Sequence, residues 1–194
     1  VSPDNNTLII DGIYNADGSN NNKKTGFSIA HRTRNGWATP KPLVFKNYYN
    51  SNDYFGSCMS PDRQKIIFAI ERKDTYGDMD LYVCFLQPDG TWSEPKNMGS
   101  RINTFAPERA PFLAADGRTL YFSSRGHPGY GSSDIFMSRR LDDSWTRWST
   151  PKNLGPSVNS SKSETGFKVT AQGDYAYMVS YTGKKNRSDI LRIK

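Results

Sequence analysis

The chain has 194 residues, of which 35% are hydrophobic and 13% aromatic, with a mean hydropathy of −0.74 and a formal net charge of +7. That length suffices for one domain with a real core, and the aromatic share argues against disorder. The longest apolar runs, at residues 8–10 and 66–70, are far too short to span a membrane. Residue 1 is Val and no signal sequence is visible, so the expectation is a mature product or an excised segment.

In chain order, the sequence reads as short strands broken by Pro, Asn, Asp and Gly turns. The first stretch, 1–50, opens on Ser2-Pro3-Asp4 and carries predicted strands at 7–10 and 27–32. Between them lies an Asn/Gly/Ser-rich insert, 15–24, expected to be a long flexible loop. Trp37-Ala38-Thr39-Pro40 then leads into a strand ending near Val44. The second stretch, 51–104, gives strands at 56–59, 65–70 and 81–85, with Trp92-Ser93-Glu94-Pro95 leading to Met98. The third, 105–160, gives strands at 112–114, 119–123 and 135–139, with Trp148-Ser149-Thr150-Pro151 leading to Leu154. The fourth, 161–194, gives strands at 167–169, 175–180 and 190–193.

These stretches are copies of one another. The three Trp-x-x-Pro motifs lie 55 and 56 residues apart, and Pro95-Lys96-Asn97-Met98-Gly99 recurs as Pro151-Lys152-Asn153-Leu154-Gly155. Asn103-Thr104 and Glu108 recur as Asn159-Ser160 and Glu164, while Asp80, Asp134 and Asp189 each precede an apolar strand. Each copy is assigned strands a, b, c and d. The reading is therefore all-β: one β-propeller domain over 1–194, built of four-stranded antiparallel blades. The first and last copies are incomplete, leaving fourteen expected strands. An arc of a larger ring is the first expectation and a closed four-bladed ring the second.

Chemistry is sparse. His31 and His127 are the sole histidines, and neither has a neighbouring cluster that suggests a metal site or a triad. Asp74, Asp78 and Asp80 crowd one loop but lack the glycine and glutamate of an EF-hand, and Asp80 repeats as Asp134 and Asp189. Cys58 and Cys84 fall on strands a and c of one copy, which do not adjoin, so free thiols are expected. No cofactor is implied. The excess charge sits at the two ends of the chain; residues 51–159 carry thirteen cations and thirteen anions. The one dense basic cluster, Lys184-Lys185-Asn186-Arg187, falls on a predicted turn, so no nucleic-acid partner is expected.

Residues that differ between copies at equivalent loop positions are where a propeller places specificity. Arg125 stands where Glu71 stands one blade earlier, and His127 where Lys73 stands. With the d–a loop Tyr48-Tyr49-Asn50, they suggest a binding rim whose candidates are Tyr48, Tyr49, Arg72, Tyr76, Arg125, His127 and Tyr130. The Trp145-Thr146-Arg147 insertion and Pro128 are also private to the third copy. The repeated tryptophans are read as packing the outer strands.

The turns at 60–62 and 114–117, the Leu120-Tyr121-Phe122-Ser123-Ser124 strand and Ser133-Asp134-Ile135-Phe136 resemble TolB-type, WD-like propeller repeats. The fuller string 129–136, 140–145 and 151–155 is similar to the propeller segment of OmpA-family outer-membrane-associated proteins of Gram-negative bacteria. The resemblance covers the whole chain. It departs at Arg63, where Gly is usual, and at Gln172, where Asp is usual. It implies a non-catalytic, periplasmic, outer-membrane-associated scaffold with a protein partner in the cell envelope. A glycan- or peptidoglycan-recognition module is the alternative. The hairpins at Asp89-Gly90-Thr91-Trp92 and 142–145 resemble the Asp boxes of sialidase propellers, which makes a glycosidase the third reading. Those boxes are structural turns, however, and no arginine trio or nucleophilic tyrosine can be assigned.

Overall fold

The computed structural model describes residues 2, 5–20, 26–170, 172–181 and 187–194. The turn residues Pro3, Asp4 and Ala171, part of the first-copy insert, and Lys184-Lys185-Asn186 of the basic cluster lie outside the described residues. The fold is all-β. Four small antiparallel sheets are set around a common axis as the blades of a four-bladed β-propeller.

Blade I contains β1 (Thr7–Asp11) and β2 (Phe27–Thr33), with β3 (Gly36–Trp37) and β4 (Lys41–Pro42) both on β2. Blade II runs β5 (Gly56–Met59), β6 (Lys65–Ile70), β7 (Asp80–Phe85) and β8 (Lys96–Asn97) in simple meander order. Blade III repeats it with β9 (Glu108–Leu113), β10 (Thr119–Ser124), β11 (Asp134–Arg139) and β12 (Lys152–Asn153). Blade IV has β13 (Ser163–Val169), β14 (Ala176–Tyr181) and β15 (Ser188–Ile193). The strands expected from sequence are all present; β3 is additional, formed where β2 folds back so that Thr33 faces Gly36.

Two boundaries differ from expectation, for one reason. Strand a of blades III and IV begins four residues early, at Glu108 and Ser163, because pairing resumes beyond a bulge. The bulge sits at Ala110 in one blade (φ +47°) and at Gly166 in the next (φ +68°).

Packing follows from the alternation of side chains along a strand. β6 is apolar on both faces. Ile67 and Ala69 join Leu81, Val83, Met98, Leu113, Leu120, Phe122 and Phe136 between blades II and III. Ile66, Phe68 and Ile70 join Phe27, Tyr82, Cys84 and Trp92 between blades I and II. A third cluster, Ile135, Phe167 and Met178, joins blades III and IV. A strand sandwiched in this way must be apolar throughout, which is why 66–70 is the longest apolar run of the middle of the chain.

The tryptophans divide. Trp92 and Trp148 are buried, as expected of outer-strand packing, but Trp37 is 40% exposed, with Arg32 over its ring. The Trp145 insertion is also structural. Its backbone is left-handed (φ +63°), its carbonyl accepts the Trp148 indole N–H at 2.9 Å, and Arg140 stacks on its ring. Cys58 and Cys84 are free thiols, both pushed up by burial; Cys58 Sγ accepts the Leu113 amide.

Candidate binding rim

The b–c loops of blades II and III and the d–a loops that flank them emerge at one end of the propeller. In blades II and III a buried acid that the sequence repeats anchors the b–c loop. In blade II, Asp80 accepts the Tyr76 amide at 2.9 Å and the Asn97 side-chain amide at 2.8 Å. Asn97 Oδ1 in turn accepts from Asn103, whose side chain brackets the backbone of Leu81. Blade III reproduces this with Asp134, Tyr130, Asn153 and Asn159 bracketing Ile135. Burial pushes the Asp80 carboxyl up, against the hydrogen bonds that favour its ionised form.

A second acid fixes the d–a loop. Glu108 accepts the Thr104 amide and hydroxyl at 2.7 and 2.8 Å and the Ser124 hydroxyl at 2.7 Å. Glu164 does the same with Ser160 and Ser180. Burial drives the Glu108 carboxyl up to about 7, against those hydrogen bonds.

The loops are also pressed together. A Cβ on Gly77 would collide with the carbonyl of Phe105, and one on Gly131 with the carbonyls of Ser160 and Lys162. These glycines allow adjacent loops to approach to backbone contact. The result is a continuous belt from blade I to blade IV. Arg109 lies over Tyr54 at 5.6 Å and 4.0 Å from Asp78; Gly77 meets Phe105; Gly126 meets Thr104 and Ala106; and Ser132 donates to the Lys162 carbonyl at 2.6 Å.

The seven candidates separate into two groups on this belt. Tyr48 is half-buried against Phe27, Phe45 and Phe68, and burial pushes its hydroxyl up. Arg72 is buried: it stacks on Tyr49 at 4.3 Å, pairs with Glu94 at 3.1 Å and donates to the Asn47 carbonyl. The Tyr49 hydroxyl accepts the Lys73 amide. His127 turns inward against Phe122 and Phe136, lies 2.9 Å from the Ile102 carbonyl, and is held below its ordinary value by burial. These four build the loops. Tyr76, Arg125 and Tyr130 face solvent.

Three exposed residues escaped the sequence reading: Tyr54, Phe105 and Arg101. Phe105 is 81% exposed, the most exposed aromatic on the belt. A signal existed, because the next copy has Ser161 at that position, but an exposed ring cannot be told from a core ring by type alone.

The acidic loop 74–80 is dispersed among different partners. Asp74 accepts the Tyr82 hydroxyl, Asp78 accepts from Asn52, and Asp80 points into the blade. Among the described residues no group of three or more His, Cys, Asp and Glu is placed to hold a metal. At the opposite end of the propeller, the inner strands line an open pocket of about 740 Å³ bordered by Ile9, Ser57, Phe112, Tyr121 and Lys168. Its Asp116 is spent on its own turn, accepting the Arg118 and Thr119 amides.

No family model matches the sequence, and comparison with curated proteins finds no relative. Among solved structures, the chain is similar to TolB from Acinetobacter baumannii, with a TM-score of 0.52 and 17% identity. The match covers 96% of this chain and 38% of TolB. A gluconolactonase from Xanthomonas campestris (TM-score 0.48, 12% identity, 80% of this chain and 42% of that one) and an α-L-arabinofuranosidase from Lactobacillus brevis (0.43, 12%, 93% and 65%) are more distant. At these identities the likeness is one of fold: the chain is arranged as a TolB-like β-propeller.

Proposed function

We propose that this chain is a non-catalytic scaffold that docks a protein partner on its b–c/d–a face. The observation that carries this reading is the set of exposed aromatics on immobilised loops: Tyr54, Tyr76, Phe105 and Tyr130 are each more than half exposed along one contiguous belt. Aromatic anchors on rigid supports are what protein-binding surfaces use, because little side-chain entropy is lost on docking. The repeat resemblance supports a periplasmic, outer-membrane-associated setting and a partner within the cell envelope. The non-catalytic reading is supported by how the polar groups are engaged. Glu108, Glu164, Asp80 and Asp134 all bind the loops of their own blades.

The same rings could stack on sugars, so the test compares the two ligand classes. A photo-crosslinking residue is placed at position 105 and, as control, at Gln172 on the opposite end. Crosslinking to an envelope protein from position 105 and not from 172 is the expected result. Retention on purified peptidoglycan sacculi, lost in Phe105→Ser/Tyr130→Ser, would instead establish the glycan module. Turnover of any chromogenic glycoside or ester above buffer would overturn the non-catalytic reading.

A further inference from the structure

The belt is not uniform in charge. Around blade II, the loops 43–55 and 71–79 mix Lys46, Arg72 and Lys73 with Asp53, Glu71, Asp74 and Asp78. Around blade III, the loops 98–107, 125–133 and 154–162 contain Arg101, Arg125 and Lys162 and not one carboxylate. The acids that border those loops in sequence, Glu108, Asp134 and Glu164, are buried and committed to backbone, hydroxyl and amide donors, and Asp78, beside Gly77 where it meets Phe105, is engaged by Asn52 and lies 4.0 Å from Arg109.

The three loops form one surface. The His127 ring meets the Ile102 carbonyl, Gly126 abuts Thr104 and Ala106, and Gly131 abuts Ser160 and Lys162. Arg101 and Arg125 are exposed. Arg101 makes no ion pair among the described residues, and Arg125 has only a marginal 3.5 Å approach to Ser132 Oγ. The same loops carry Phe105 and Tyr130, 81% and 54% exposed. Burial holds His127 below its ordinary value and so adds no charge here at neutral pH.

Resting on the docking reading above, we propose that this blade III sector receives an acidic polypeptide segment carrying apolar side chains. Carboxylates would meet Arg101 and Arg125, and an aliphatic or aromatic side chain would cover Phe105. Two features favour a peptide over a nucleic acid. The cations are few, one in each of three loops, rather than set in a stripe that could follow a phosphate backbone. The most exposed ring is a phenyl, which offers apolar area without a hydrogen-bonding handle. Exposed, unpaired guanidinium groups are well suited to bidentate carboxylate recognition.

The test is fluorescence anisotropy with the full chain and three labelled probes: a short peptide alternating Asp/Glu with Leu, its Asn/Gln twin, and single-stranded oligothymidine. The acidic peptide is expected to bind about tenfold more tightly than its twin at low salt, with the advantage largely lost near 0.5 M salt. Arg101→Glu/Arg125→Glu should abolish the preference, and Arg101→Gln/Arg125→Gln should reduce it with unchanged thermal melting. Equal binding of the twin peptides, no binding of either, or an unaltered preference in both arginine variants would overturn the acidic-segment proposal. Tighter binding of oligothymidine would overturn it in favour of a nucleic-acid surface. If the twins bind equally and Phe105→Ser/Tyr130→Ser weakens both, the docking reading stands without the acidic preference. If that aromatic variant binds as wild type does, the docking reading itself falls.

Discussion

Blades III and IV share an inner half and differ in the outer one. Strands a and b of both are joined by the same glutamate clamp, Glu108 to Thr104 and Ser124, and Glu164 to Ser160 and Ser180. Beyond strand b they diverge. β11 is covered by β12 and by the Asp134–Asn153–Asn159 network, whereas among the described residues β15 pairs with β14 alone and is exposed along nearly its whole length. Asp134 is buried; Asp189, at the same register opposite the last serine of strand b, is exposed. The same residue type at the same position is thus a keystone in one blade and a solvated side chain in the other. Its role comes from the strand that closes over it.

The largest test of this contrast lies two residues further along. Phe136 faces Phe122 across the sheet, as Leu191 faces Met178, but Phe136 is 2% exposed and Leu191 41%. Phe136→Ala should cost about 3–5 kcal/mol, the usual penalty for emptying a packed aromatic site. Leu191→Ala should cost about 1 kcal/mol or less, since little of its contact area is enclosed. Chemical denaturation of both variants gives the comparison directly. Equal losses would mean that blade IV is as well packed as blade III.

The shared inner half makes a second, smaller prediction. Glu108 is neutral in the fold up to about pH 7, while in the unfolded chain it ionises from its ordinary value of 4.5. Between those values the unfolded state binds fewer protons, so stability falls as pH rises through the window and levels off above it. The fall attributable to this residue is on the order of 3 kcal/mol. Glu108→Gln removes the ionisation, so its denaturation midpoint should be flatter than wild type between about pH 4.5 and 7. A wild-type slope retained in the variant would show that Glu108 is not its source.

The repeating parts of this architecture were legible in sequence. Asp80, Asn97 and Asn103 recur as a set, and a set that recurs belongs to the blade. The rim was legible only in part, because exposure depends on what the loop packs against. Tyr49 and Arg72 look like a ligand-binding pair in sequence, yet they stack on each other and brace the passage from blade I to blade II. Nothing in the residue type marks Phe105 as exposed, yet its backbone packs on Gly77 and its ring is 81% exposed. Neither outcome follows from residue type. Both follow from contacts between loops some 25 or more residues apart in sequence, such as Arg72 with Asn47.

Turns offer the finest comparison, again between equivalent positions. The a–b hairpin of blade III carries Gly117 at φ +64°, and the same corner in blade II carries Arg63 at φ +59°. Both turns are otherwise alike: the preceding aspartate, Asp62 or Asp116, accepts the amide two residues on at 3.0 or 2.9 Å. A left-handed backbone costs an ordinary L-residue about 1–2 kcal/mol, whereas glycine adopts it freely. Glycine also gives the unfolded chain more freedom, which returns part of that gain. Arg63→Gly should therefore stabilise the protein by about 0.5–1 kcal/mol, and Gly117→Arg should destabilise it by a similar amount. Paired denaturation curves decide the matter. Opposite signs of near-equal size mean that the two turns share one backbone requirement, and a loss from Arg63→Gly would mean that contacts of the Arg63 side chain outweigh its strained backbone.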